Sequence, residues 1–408
     1  MQNIYPHAEN LQALPPVELK ANARRCFRDL DEIIRHARPS NDSLLSGSLG
    51  LSLYYFTLYE AFGKEDDLVR GKELFEDTFA RLNDGSSKLM NPSFSKGIGG
   101  LLYMVDYVTK NELIDIDIRE ERAELEEYIY NEALMEIDQD FNDYLHGAFG
   151  VLFYFLERLP DKRVERYVRG ILDKVFEKAV QSDDSFWLRN FLTSEDEKKE
   201  INLSLAHGQS GFMLIMLQAF AQDIYPDKIY KAVKKNIGQV LRSRQDIDFE
   251  ERKYSFFPIR IVASTNESMF RDRLGWCYGD LNQLLLLYRA SHAFNEERYA
   301  RMANLMGGCC VIREDVDSTM CTDAHFCHGA AGLAQFYRTL YLESKFPPYL
   351  NAYFKWIEKT LQFLEKDLST DLYKNKEAAL LDGLPGIAMT LLSFLQEKEL
   401  KWGKVFML

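Results

Sequence analysis

Cysteine is scarce, with six in 408 residues. So few in so long a chain do not make a disulfide scaffold, and they read as reduced thiols able to serve a metal as thiolates. A long unbroken apolar run is also missing. The longest stretch without Asp, Glu, Lys or Arg, Ile201 to Gln222, is interrupted by Asn, Ser, His, Gly and Gln, so no transmembrane segment is expected. The opening residues, MQNIYPHAENLQALPP, lack a basic segment followed by an apolar one. No secretory signal is read there, and a cytoplasmic location is expected. Basic excess is absent too: 50 Lys and Arg face 63 Asp and Glu, a net charge of −13 that argues against a nucleic-acid footprint.

Apolar residues, at 46%, are plentiful enough for a large core, and one glycine motif recurs seven times. It appears as LSGSLGLSLYYF at Gly47, SKGIGGLLYMV at Gly97, LHGAFGVLFYF at Gly147 and AHGQSGFMLIM at Gly208. It continues as CYGDLNQLLLL at Gly279, CHGAAGLAQFY at Gly329 and LDGLPGIAMTL at Gly383. A second glycine follows three residues later except in the fifth copy, which has Asn282. The physical reading is a tight turn, a close backbone approach at the first glycine, and a helix behind it. Helices apolar on most sides are buried, whereas VELKANARRCFRDLDEIIRHA and ERYVRGILDKVFEKAV between them are amphipathic.

Each repeat is therefore an outer amphipathic helix followed by an inner apolar one. The inner helices are expected near Gly50, Gly100, Gly150, Gly211, Asn282, Gly332 and Gly386. The last repeat ends in the apolar GIAMTLLSFL, which favours closure onto the first repeat over an open solenoid with polar caps. The expected fold is all-α, an α/α toroid of seven inner and seven outer helices. It forms a single domain over residues 1–408, with an excursion around 248–272.

In such a ring the residues before each first glycine share one end. The residue immediately before it runs Ser46, Lys96, His146, His207, Tyr278, His328, Asp382. The one before that runs Leu45, Ser95, Leu145, Ala206, Cys277, Cys327, Leu381. Cys277 and Cys327 thus hold equivalent positions in neighbouring repeats, and His328 adjoins the second. Three such donors suit an open zinc site, since structural zinc is usually closed by four. The rival reading makes the two cysteines small buried hydrophobes at crowded turns. His325 is a further candidate ligand but falls in the loop leading to the turn. Cys309 and Cys310 belong on an outer helix and, with Cys26 and Cys321, read as structural.

With GWCYGD, CHGAAG, AHGQSG and the seven-fold repeat in place, the sequence resembles the lanthionine synthetase C-like family across essentially its whole length. The resemblance implies a lanthipeptide cyclase with one catalytic Zn2+ per chain, held by Cys277, Cys327 and His328. The reaction implied is addition of a substrate cysteine thiol to dehydroalanine or dehydrobutyrine, giving a lanthionine or methyllanthionine ring. By motif, His207 matches the acid/base histidine, Asp143 its acidic partner, and Arg273 and Tyr278 the remaining active-site positions. The implied partners are a dehydrated precursor peptide (leader plus core), a dehydratase and an export transporter. The cytoplasmic location leaves room for association with a membrane-bound biosynthetic complex.

Read without the family, His207 is a capping or packing histidine and Asp143 a helix cap. Arg273 pairs with a surface carboxylate, and Tyr278 belongs to the core. His146 shares their register without an assigned task. Two other functions use the same donors: zinc-dependent thiol alkylation of the prenyltransferase type, and a non-enzymatic zinc-containing thiol- or peptide-binding scaffold. Of the two long spacers, YSFFPIRIVAS reads as a short extended excursion walling a substrate groove, and LTSEDEKKE as a solvated loop.

Overall fold

Two kinds of helix alternate along the chain. The computed structural model describes residues 16–191, 200–262, 265, 267–396 and 399–408. Seven inner helices span Ser48–Phe62, Ile98–Lys110, Ala148–Glu157, Gln209–Ala221, Asp280–Phe294, Ala330–Ser344 and Leu384–Gln396. Each follows its first glycine directly, about half a turn ahead of the expected starts, because that glycine is itself the residue flanking the helix. The outer helices are Val17–His36, Glu65–Asn83, Arg119–Asp138, Lys162–Lys178, Pro226–Arg242, Glu297–Cys310 and Pro347–Ser369.

Composition explains the division. Every residue from Ser48 to Leu58, and from Ala148 to Leu156, is buried, so these helices present no polar face to water. In Val17–His36 only Ala23, Phe27, Leu30 and Ile34 are buried, a single stripe at helical spacing. Cys309 and Cys310 end an outer helix, as expected. Among the described residues no helix is long and apolar enough to cross a membrane.

The chain divides into two compact units. One comprises Glu126–Cys321 with Glu343–Tyr349 among its described residues and holds the third, fourth and fifth inner helices. Within it the N–H groups of Leu205 and Ala206 both face the carbonyl of Cys277, at 3.2 and 3.5 Å, tying the fourth glycine turn to the fifth. A three-stranded antiparallel sheet of Glu200–Asn202, Arg260–Val262 and Glu267–Met269 pairs Ile201 with Ile261 and Ile261 with Ser268. This is the extended excursion anticipated from YSFFPIRIVAS. The acidic LTSEDEKKE lies, but for Glu200, outside the described residues.

The other unit contains residues 16–125, Thr322–Leu342 and Leu350–Leu408. Its glycine turns are joined by backbone hydrogen bonds between equivalent positions. Cys327 N–H donates to Leu381 O at 3.1 Å, Leu381 N–H to Leu45 O at 3.0 Å, and Leu45 N–H to Ser95 O at 3.3 Å. The seventh repeat is thereby bonded to the first, as the apolar last helix led us to expect.

Candidate active site

Each candidate side chain is presented by one of these turns. At Gly47 a Cβ would lie 2.3 Å from Asn41 O, and at Gly50 another would lie 2.2 Å from Leu44 O, so the backbone crosses itself too closely for any side chain. The fifth turn is built differently. Gly279 has φ +122°, a conformation open to glycine, and the chain there leaves room for Asn282. Asn282 donates to Trp276 O at 3.0 Å and accepts from Leu205 N–H at 3.1 Å, replacing close packing with two buried hydrogen bonds. In all seven turns the residue before the first glycine is at least partly exposed, between neighbours that are mostly buried.

His207 and Asp143 meet across two such turns of one unit. His207 Nδ1 lies 2.8 Å from Asp143 Oδ2, and Asp143 is fully buried. Asn190 donates to the same carboxylate oxygen at 2.9 Å and to the backbone carbonyl of His207 at 2.8 Å. Asp143 Oδ1 accepts from the N–H groups of Leu145 and His146, both at 2.9 Å. One oxygen of Asp143 therefore folds its own turn while the other holds the imidazole. Burial pulls the His207 pKa down, but the Asp143 carboxylate outweighs it and the net shift is upward, with Cys277 adding to the rise. Burial pushes Asp143 up, and its hydrogen bond and charge interaction with His207 reverse that to a net lowering. The ring of His146 stacks on His207, with centroids 6.0 Å apart and planes 16° from parallel.

Tyr278 and Arg273 lie beside the sheet. Together with Ile259, Arg260, Met269 and Arg271 they line a cavity of about 220 Å³. Tyr278 Oη accepts from Asn202 Nδ2 at 2.8 Å, and its ring centroid is 6.3 Å from that of His207. Arg260 pairs with Glu200 at 2.8 Å and also reaches Tyr278. Asp280, the first residue of the fifth inner helix, anchors the segment that carries Arg273. It accepts from the N–H groups of Phe256 and Phe257 at 3.1 and 3.0 Å, and Arg313 meets it at 2.7 Å. Arg313 in turn donates to Asp272 O at 2.7 Å.

Cys277 is buried, Cys327 half-buried, and neither is in a disulfide. In the sixth turn the rings of His325 and His328 meet edge to face at 4.2 Å, and burial pulls His325 down to about 4. Side chains of Cys and His able to hold a metal ion are thus present among the described residues.

Within the unit that contains them, His207, Asp143, Tyr278 and Cys277 gather around the fourth and fifth turns, and Arg273 opens on the adjoining cavity. Sequence reasoning missed Asn190, Arg260 and Asn202. A signal existed for Asn202, since Asn-x-Ser recurs six residues before the first glycine at Asn41, Asn91 and Asn202. No comparable signal marks Asn190, which lies in a spacer outside the repeat.

Known proteins carry the same frame. The solved structure of nisin cyclase matches this one with a TM-score of 0.73 at 17% identity, over 96% of this chain and 98% of that one. At that identity the likeness concerns the fold, an α/α toroid, which is the class expected from the repeats. The family described as "Lanthionine synthetase C-like protein" matches residues 38–407. That span is nearly the whole sequence, and the chain belongs to the lanthionine synthetase C-like family.

Proposed function

We propose that this protein is a zinc-dependent lanthipeptide cyclase working as a single domain over residues 1–408. Its substrate is a dehydrated precursor peptide of leader and core. The reaction adds a cysteine thiol of that peptide across the Cα=Cβ bond of a dehydroalanine or dehydrobutyrine. The observation that carries this reading is the His207–Asp143 pair: a buried carboxylate 2.8 Å from an imidazole that is 20% exposed.

The reading assigns the zinc to Cys277, Cys327 and His328. The donor set fits: two cysteines outside any disulfide and one imidazole suit Zn2+ and leave a position for substrate. Zinc, when bound, lowers the pKa of a coordinated thiol, so that the substrate sulfur reacts as thiolate at neutral pH. The thiolate forms the C–S bond at the β-carbon, and the displaced π electrons leave negative charge on the α-carbon and its carbonyl oxygen. His207 supplies the proton to the α-carbon, a task suited to an imidazole whose carboxylate partner favours the protonated form. Arg273 stabilises the developing charge on the carbonyl oxygen, and Tyr278 orients the peptide beside it. A dehydratase must act before this step, and an exporter after it. A cytoplasmic site of action accords with that order.

The test is ring closure on a panel of dehydrated lanthipeptide precursors, with leftover thiols alkylated and counted by mass spectrometry. Each ring formed removes one alkylation adduct at unchanged peptide mass. Full alkylation across the panel, with zinc-loaded protein and no gain over the protein-free control, would reject the reading.

A further inference from the structure

The sixth glycine turn departs from its counterparts at two positions that the mechanism above does not use. Six and four residues before the first glycine, three other turns carry Asn41 and Ser43, Asn91 and Ser93, and Asn202 and Ser204. In each, the Asn side-chain oxygen accepts from the Ser N–H, at 2.9, 3.0 and 2.9 Å. The sixth turn has Asp323 and His325 and keeps that bond, with His325 N–H donating to Asp323 Oδ1 at 3.2 Å. Folding this turn therefore asks for a side-chain oxygen at the first position. It asks neither for a negative charge there nor for an imidazole at the second.

The two replacements lie together. His325 is 8% exposed, and its Nδ1 is buried without a hydrogen-bond partner, a costly state for a ring nitrogen. Asp323 Oδ1 is 3.3 Å from His325 Nε2, and one donor atom from each of Asp323, His325 and His328 lies within 4.8 Å of the other two. Imidazole nitrogen with carboxylate oxygen is a donor mix that late first-row divalent ions accept.

We propose that Asp323, His325 and His328 form a second metal site, for a divalent ion of the zinc class, whose ligands differ from the thiolate set except for His328. Sharing His328 makes the two sites interdependent. Excess zinc is then expected to slow ring closure, a consequence that rests on the cyclase reading, whereas the binding itself does not.

The experiment uses full-length protein and metal ions alone. In Cys327→Ala, which weakens the thiolate set, equilibrium dialysis against excess Zn2+ should still load about one ion per chain. Adding His325→Asn should abolish that ion. Adding Asp323→Asn, which keeps the turn oxygen as in the other repeats, should weaken it at least about tenfold. Co2+ in Cys327→Ala should give visible ligand-field bands that vanish with His325→Asn, and circular dichroism should show all variants equally helical. No metal in Cys327→Ala at excess zinc, or metal that His325→Asn and Asp323→Asn leave unchanged, would overturn the proposal. Thiolate-to-cobalt charge transfer in the unsubstituted protein reports separately on the cysteine set, so failure of one site is not mistaken for failure of the other.

Discussion

His207 Nδ1 stands 2.8 Å from Asp143 Oδ2, with the carboxylate wholly buried and the imidazole reaching the surface. If the imidazole delivers the proton, His207→Asn should keep its zinc and its fold while ring closure slows about 10²–10⁴-fold, the usual worth of a positioned acid. Metal analysis beside the alkylation assay checks this. Near-normal ring formation would reduce His207 to a packing role, and zinc loss would make it a ligand.

The same pair has a pH signature. The folded pKa of His207 lies above its ordinary 6.5, so its contribution to stability is complete below that value and fades as pH rises through the folded one. Asp143 lies below its ordinary 3.8, so its contribution is complete above that value and is lost as pH falls through the folded one. Asp143→Asn should therefore destabilise most between these two ordinary values and less in alkaline solution. Melting temperatures at mildly acidic and alkaline pH test this, and NMR titration should find the His207 imidazole less basic in the variant.

Glu136 offers the opposite sign. Burial first, then the charges of Glu132 and Asp143, push its carboxyl up to about 8, and its Oε2 is buried without a hydrogen-bond partner. An acid with a raised folded pKa binds protons more readily in the folded state. Stability then falls as pH rises from its ordinary 4.5 towards 8. Glu136→Gln should remove that fall and stabilise the protein at alkaline pH by a few kcal/mol at most, each pKa unit being worth about 1.4. Urea denaturation of both proteins at acidic and alkaline pH decides it, and parallel curves would refute it.

Cys327→Ala, dialysed against a weak chelator, should lose most of its zinc and stay helical, because the core rests on apolar packing. Elemental analysis with far-UV circular dichroism reads both quantities. Full zinc retention under that dialysis would take Cys327 out of the ligand set.

Asn282→Ala would take from the carbonyl of Trp276 the bond that Asn282 donates, while the N–H of Leu205 keeps the Cys277 carbonyl at 3.2 Å. A buried acceptor deprived of its donor costs about 1–3 kcal/mol, so a loss of that order in denaturant unfolding is expected. A loss below about 0.5 kcal/mol, the range of an ordinary surface change, would show that solvent or rearrangement satisfies the carbonyl.

The repeat made the frame legible. Glycine spacing located seven inner helices to within a few residues, and the unbroken apolar runs marked them as buried. Register also picked out His207, Cys277 and His328 as candidates, since each stands one or two residues before its first glycine. What register could not convey was support from outside the repeat. Asn190 holds both Asp143 and His207 from a spacer, and Arg260 reaches Tyr278 from a strand that pairs with both Glu200–Asn202 and Glu267–Met269. Those partnerships join residues far apart in the chain, where no periodicity links them. The reading of Asp143 as a cap matches the oxygen that folds its own turn, and the other oxygen holds His207 as well.

The position before each first glycine is open to solvent in all seven turns, while the bonds that shape the turn come from residues further back. Apart from Asp143, which folds its turn and holds His207, the turn-shaping bonds and the exposed position are written in different letters of the same motif. Evolution, or a mutagenesis library, can exchange Lys96 for another side chain and leave the Asn91–Ser93 bond of its turn untouched. A new reactivity can thus be tried one turn at a time on a scaffold that is already stable.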